Sequence, residues 1–386
     1  MIRTKIVIIF WMSFILLQSC IVPYHPLIEN SNINKYVVSG MVNDNEEVQT
    51  VSVSIASSIS NPEYIPVSGC YVRIVDDRGN QFEMQEAGSG NYQTRIDKSY
   101  LVSGTSFKVE IITSDGISIE SDFDKMSECP EIDTIYFVRK ETQENSSGQI
   151  TQGLQFYTDL NADNLSSHFF RWEAIETWKY NVPHAKLWYY DGTVHQIVPP
   201  DSSTMVCWST QKVKDIYTLS TKSFVENKYS KLPLHYVDNS TPKLMNGYSL
   251  LLNQFSLSEA AFSYWDQLRI NSFEQGELYE KQPLSTTGNL HNNTNPDQEV
   301  LGFFSASSVK SKRIFISPID DFEFHIITYC RPDTLRIGGL KAIRPSQYPA
   351  YLDGSEFVYF KILLGPYCVD CTSLGGTTVK PDFWPK

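Results

Sequence analysis

Covalent or metal chemistry in this chain would have to be built from seven cysteines, at 20, 70, 129, 207, 330, 368 and 371, and seven histidines, at 25, 168, 184, 195, 235, 291 and 325. Cys368-Val-Asp-Cys371 has the spacing of a redox or zinc motif. A redox pair sits at a helix N-terminus in a βαβ setting that lowers the thiol pKa; this one lies between Gly-Pro and Gly-Gly near the C-terminus. A zinc site needs a second such pair or close histidines, and the sequence offers neither. With Cys20 set aside, six cysteines remain, an even number that suits disulfides in an exported chain. Cys70, Cys129, Cys207, Cys330, Cys368 and Cys371 are therefore disulfide candidates. Cys70 and Cys129 fall in one candidate domain and are placed to pair there; the other four allow three connectivities.

No HExxH, GxSxG, Walker A, GxGxxG or calcium-loop pattern occurs, so no catalytic residue, cofactor or metal is expected. Paired carboxylates from distant loops would make a hydrolase, but none stands out among 44 acids. Glu176 does fall on an otherwise apolar strand face, where a bulge or an arginine partner is the expected explanation. Exposed tryptophan and tyrosine can stack on sugars or anchor an interface. The places for such a surface are Trp188-Tyr189-Tyr190 and the tail Phe383-Trp384.

The remaining chemistry is at the N-terminus. Arg3 and Lys5 precede the apolar run Ile6–Leu17, and Gln18-Ser19-Cys20 follows. That is the layout of a signal peptide over residues 1–19, and Leu17-Gln-Ser-Cys20 looks like a bacterial lipobox. Cys20 would carry the lipid and become the mature N-terminus. Two or more acyl chains would hold it stably on a membrane.

The elements that carry these residues read as mainly β. The formal charge of −12 argues against nucleic acid as a partner. Residues 20–35 read as a lipidated tether. From 36 to 140, short alternating runs separated by turn signals predict strands at 36–42, 51–55, 71–75, 81–84, 92–96, 107–112, 118–121 and 134–138. That spacing suits an immunoglobulin-like sandwich, and its order is similar to carboxypeptidase-regulatory-like modules. Residues 141–153 are polar and read as a linker. A larger β-rich domain spans 154–386, with strands expected near 170–182, 186–190, 205–208, 215–219, 248–254, 313–316 and 357–364. One prominent helix is expected at 257–274, opened by the capping-box pattern Ser256-Leu-Ser-Glu259, ended by Gly276, with its aromatic stripe turned to the core.

Several of these stretches carry a family resemblance. Tyr36–Val42, Arg171-Trp-Glu-x-x-Glu-Thr-Trp178, Cys207-Trp208, Tyr248–Ala260, Gly288-Asn289, Val300–Ser305 and the ending Cys368-x-x-Cys371…Lys380-Pro-Asp-Phe-Trp384 together resemble the domain of unknown function 4249 family, outer-membrane lipoproteins of Bacteroidota. The resemblance implies a lipid anchor in the outer membrane and an accessory or ligand-capturing role beside a TonB-dependent receptor. A stand-alone glycan- or peptide-binding lipoprotein is the alternative. Cell-surface exposure is favoured over the periplasmic face, although Ile21–His25 lacks the acidic residues usual behind the cysteine of surface-exported lipoproteins.

Overall fold

The computed structural model describes residues 35–58, 61–142, 151–273, 286–319, 321–326, 330–356, 359–363 and 365–385. The signal peptide, Cys20, nearly all of the tether, most of the expected linker and Gly276 lie outside them. The fold is mainly β with one prominent helix.

The first body is a β-sandwich. Strands Tyr36–Asn43, Val48–Ile55 and Asn91–Arg95 form one sheet, and Tyr71–Asp76, Ser106–Ile112 and Ser118–Ser121 form the other. Gln81–Gly88 pairs with both and turns the corner between them. Alternation does the work here: Val38, Val51, Val53, Val72, Ile74, Phe107, Val109 and Ile111 point inward and form one buried cluster. The turn after Asp76 is fixed by its own carboxylate, which accepts from the Arg78 and Asn80 amides at 3.0 and 2.8 Å.

A second sandwich packs Ile135–Thr142, Thr151–Asn161 and Lys228–Asp238 against a sheet of Phe169–Asn181, Tyr248–Ser256, Val206–Lys212 and Tyr217–Ser220. Its core holds Leu154, Phe156, Phe170, Trp172 and Tyr248. The fully buried Trp172 donates from its indole to Gln254 at 2.8 Å, which satisfies the polar handle of the largest side chain.

Two expectations about the domains need revision. The strand expected at 134–138 belongs to the second sandwich, because Ile135–Thr142 pairs with Thr151–Asn161 across the expected linker. The first sandwich, in turn, recruits distant chain. Leu301–Ile316 runs parallel to Tyr36–Asn43 over its first half and antiparallel to Tyr248–Ser256 over its second, while Leu290–Asn292 pairs with Ser118–Ser121. One sixteen-residue strand thus belongs to both bodies. Gly302 makes the join possible: its φ is +102°, and a Cβ there would lie 1.9 Å from the Val38 carbonyl oxygen. Asn289 seals the same seam, donating to the Phe304 carbonyl at 2.8 Å and accepting from the Phe304 amide at 3.0 Å.

The helix spans Glu259–Phe273, close to expectation, with Ser258 Oγ accepting from the Ala261 amide at 3.0 Å. Ala261 is buried with Phe255 and Phe303, and Phe262, Tyr264 and Trp265 pack half-buried against them, so the first turns of the stripe face the core. The helix also buries Arg171. Its guanidinium lies 4.1 Å from the Trp265 ring centroid and 4.3 Å from that of Phe255. Burial pulls its pKa down to about 10.

The third body is a five-stranded sheet in the order Val194–Asp201, Lys186–Tyr190, Ala350–Glu356, Tyr359–Leu363, Asp333–Arg336. Its first two strands are an excursion between neighbours in the central sheet, and the rest comes from the C-terminal chain. Lys186–Tyr190 and Tyr359–Leu363 were expected; Val194–Asp201, which carries Pro199-Pro200, Ala350–Glu356, which carries Gly354, and the four-residue Asp333–Arg336 were not.

Candidate functional site

A hollow adjoins this third sheet. A cavity of about 740 Å³ opens between the sheet and the 3₁₀ segments Ile337–Ala342, Pro345–Gln347 and Pro366–Cys368. Tyr348, Tyr351 and Tyr367 supply its aromatic surface; Leu335, Ile343 and Ile362 supply aliphatic surface. Each tyrosine is held from behind. Tyr348 donates to the Ile343 carbonyl at 3.2 Å and meets Tyr190 edge-on at 5.5 Å. Tyr351 lies 5.7 Å from Lys186 Nζ, which pairs with Asp370 at 3.0 Å. Tyr367 adjoins Cys368, which is bonded to Cys330. Gly365 keeps that wall possible: at φ +100°, a Cβ there would lie 2.3 Å from the Tyr367 ring.

The cysteines resolve into two bridges, Cys207–Cys371 and Cys330–Cys368. Both cysteines of the CxxC are used, each with a distant partner. Cys70 and Cys129 do not pair, contrary to expectation. Cys70 sits in the first sandwich, its amide donating to the Tyr92 hydroxyl at 3.0 Å. Cys129 lies against the central sheet, its thiol donating to the Gln254 carbonyl at 3.3 Å. The two thiols belong to different bodies. Burial raises the pKa of both, that of Cys129 to about 12, which favours the thiol over the thiolate.

The expected aromatic surfaces are also rearranged. Tyr190 is buried with Leu340, Leu352 and Ile362, and Trp188 packs against that cluster. Tyr189 stacks on His195 at 4.7 Å. Strand alternation splits the three, and Tyr190 reaches the cavity only by supporting Tyr348. In the tail, Phe383 covers the Arg313 guanidinium at 3.6 Å, and Trp384 stands edge-on to Trp208 and Phe315. The tail folds back on the central sheet, with Phe383 exposed and Trp384 half-buried.

Glu176 has neither a bulge nor an arginine. Its strand pairs in unbroken register on both sides, and its carboxylate accepts from Lys243 at 2.5 Å, Tyr248 at 3.1 Å and His235 at 3.2 Å. Burial alone would raise its pKa, but the His235 and Lys243 hydrogen bonds outweigh it and hold the group below the usual carboxylate range. Among the described residues, no group of three or more His, Cys, Asp or Glu side chains could hold a metal ion.

These features define a mainly β protein with two sandwiches, a shared strand, one prominent helix and a small disulfide-braced sheet beside a cavity. The model of the family described as domain of unknown function (DUF4249) matches residues 21–313, and the chain belongs to that family. The match spans both sandwiches and ends before Leu335–Tyr367, which build the cavity. No curated protein matches. Among solved structures, trypsin-activated alpha-2-macroglobulin from Escherichia coli is similar over 59% of this chain at 10% identity, with a TM-score of 0.20; the chain spans 15% of that protein's length.

The cavity tyrosines were not singled out from sequence. The available signal was Tyr348-Pro-Ala-Tyr351 and Gly365-Pro-Tyr367, aromatic residues beside turn formers, but the two groups lie on separate segments that only the sheet brings together.

Proposed function

We propose that this protein is a non-catalytic, ligand-capturing lipoprotein, anchored to the bacterial outer membrane through Cys20 and working beside a TonB-dependent receptor. The observation that carries the capture role is the cavity of about 740 Å³, within the size range of small-ligand sites. Its described lining offers aromatic and aliphatic surface, not the paired carboxylates of a hydrolase. Glu176, the buried carboxylate with the most partners, is occupied by three donors of its own. The anchor and the receptor come from the Leu17-Gln-Ser-Cys20 motif and the family resemblance. Confinement to a membrane plane would raise the local concentration near a receptor, so a weak interface would suffice.

The test is a pull-down of the tagged protein from outer membranes in mild detergent, with bound proteins identified by mass spectrometry. A stoichiometric TonB-dependent barrel is the expected result. Recovery of the protein alone would leave the stand-alone binding lipoprotein as the better reading. Cys20→Ala should release the mature chain from membranes; retention without a partner would rule out the lipid anchor.

A further inference from the structure

We infer that the cavity beside the C-terminal sheet binds an uncharged, predominantly apolar small molecule. This rests on the ligand-capturing reading and gives it a chemical class.

The first argument is charge. One residue in five of this chain is charged, yet none of the fifteen described lining residues is Asp, Glu, Lys or Arg. The neighbouring chain does not lack charges: Lys341, Arg344, Asp353 and Lys361 interleave with the lining residues and stay outside the cavity. A charged ligand entering it would lose water and gain no counter-ion, which is strongly unfavourable.

The second argument is hydrogen-bonding capacity. A sugar needs a partner for most of its hydroxyls when it leaves water. Two of the polar side chains here are already engaged with the cavity's own wall. The Gln347 Oε1 accepts from the Arg344 amide at 3.2 Å, and the Tyr348 hydroxyl donates to the Ile343 carbonyl. Apolar surface exceeds polar surface in the lining, to which Leu335, Ile343 and Ile362 and the rings of Tyr351 and Tyr367 belong. Such a lining rewards the removal of apolar area from water, with little directional demand.

The test uses the mature chain, residues 20–386 with Cys20→Ala, free of signal peptide, lipid and detergent and titrated with the uncharged probe N-phenyl-1-naphthylamine. The expected result is a saturable, single-site rise in fluorescence. Ala342→Trp and Ser346→Trp place a large ring at exposed lining positions and should each weaken binding at least tenfold with an unchanged circular dichroism spectrum. Val225→Trp, on a fully exposed residue away from the cavity, should leave it unchanged. Unaltered binding in both lining variants would overturn the location. Equally tight binding of the anionic probe 8-anilinonaphthalene-1-sulfonate would overturn the uncharged class. Calorimetric binding of maltotriose, lost in the lining variants while the apolar probe fails, would overturn the apolar class yet keep the capture reading. Failure of all three to bind would overturn the capture reading itself.

Discussion

The N-terminal sandwich buries twenty apolar side chains in a single cluster and has no disulfide among its described residues; among its described residues the C-terminal sheet splits its burial between a cluster of four and a second one that contains Cys330–Cys368, with Cys207–Cys371 close by. The first is held by packing between two sheets. The second has smaller clusters among its described residues and is braced by covalent bonds to neighbouring chain. Cys207–Cys371 closes 164 residues and Cys330–Cys368 closes 38. On loop entropy alone they would contribute about 5 and about 4 kcal/mol, an upper range for disulfides. The cavity lies in the second region. Where side chains fill a core there is no room for a ligand, and where the frame is stapled from outside the interior can stay open.

The sharpest way to break this contrast is in the packed body. Phe107→Ala removes a fully buried ring, and the expected loss is about 3–5 kcal/mol in urea unfolding. A loss below about 1 kcal/mol would mean that packing does not hold the sandwich. Next comes Cys207→Ser with Cys371→Ser, expected to cost about 2–5 kcal/mol. Hydrogen exchange should speed up in 186–201 and 350–363 and stay slow in 106–112; uniform acceleration would contradict separate bracing.

Two buried carboxylates sharpen the comparison through pH. Asp124, in the first sandwich, accepts the Ala306 amide at 2.8 Å, and burial raises its pKa to about 6 despite that bond and one from Ser258. Between about pH 4 and 6 the folded chain keeps a proton that the unfolded chain has lost, so this group lowers stability as pH rises, by about 3 kcal/mol for a two-unit shift. Glu176 has the opposite sign. Its lowered pKa gives stability that is present above its unfolded value and lost as pH falls through the folded one. Asp124→Asn should flatten the pH 4–6 slope, and Glu176→Gln should weaken the acid limb below about pH 4. Chemical denaturation at stepped pH reads both, and an unchanged profile in either variant would refute its assignment. The smallest effect is expected from Phe383→Ala, which uncovers Arg313 and should cost about 0.5–1 kcal/mol by thermal melting.

The same contrast explains what could be read from the chain. Strands at 36–43, 71–76, 106–112 and 118–121 were legible because apolar residues recur along them, and the helix at 259–273 because of the capping residues that open it. Thr151–Asn161 and Lys228–Asp238 were missed. The first begins inside a polar stretch, and the second carries Pro233, which argues against a strand interior. The long strand was foreseen only at 313–316, since Ser305, Ser307 and Ser308 hide its buried run. For the cavity the difficulty was different in kind. Leu335, Tyr351 and Tyr367 are ordinary alone and acquire meaning from pairings such as Leu335 with Phe360 and Tyr351 with Leu363, which local periodicity does not encode.

The parallel pairing of Val37 with Leu301 sets an order of events on the ribosome. The first strand leaves the exit tunnel with one neighbour soon to follow, but its other neighbour is 264 residues away. At about 5–20 residues per second, that edge stays open for roughly 10–50 s. An unpaired edge is a template for stray strands, so the body that finishes as the better packed of the two regions is also the one that needs guarding during synthesis.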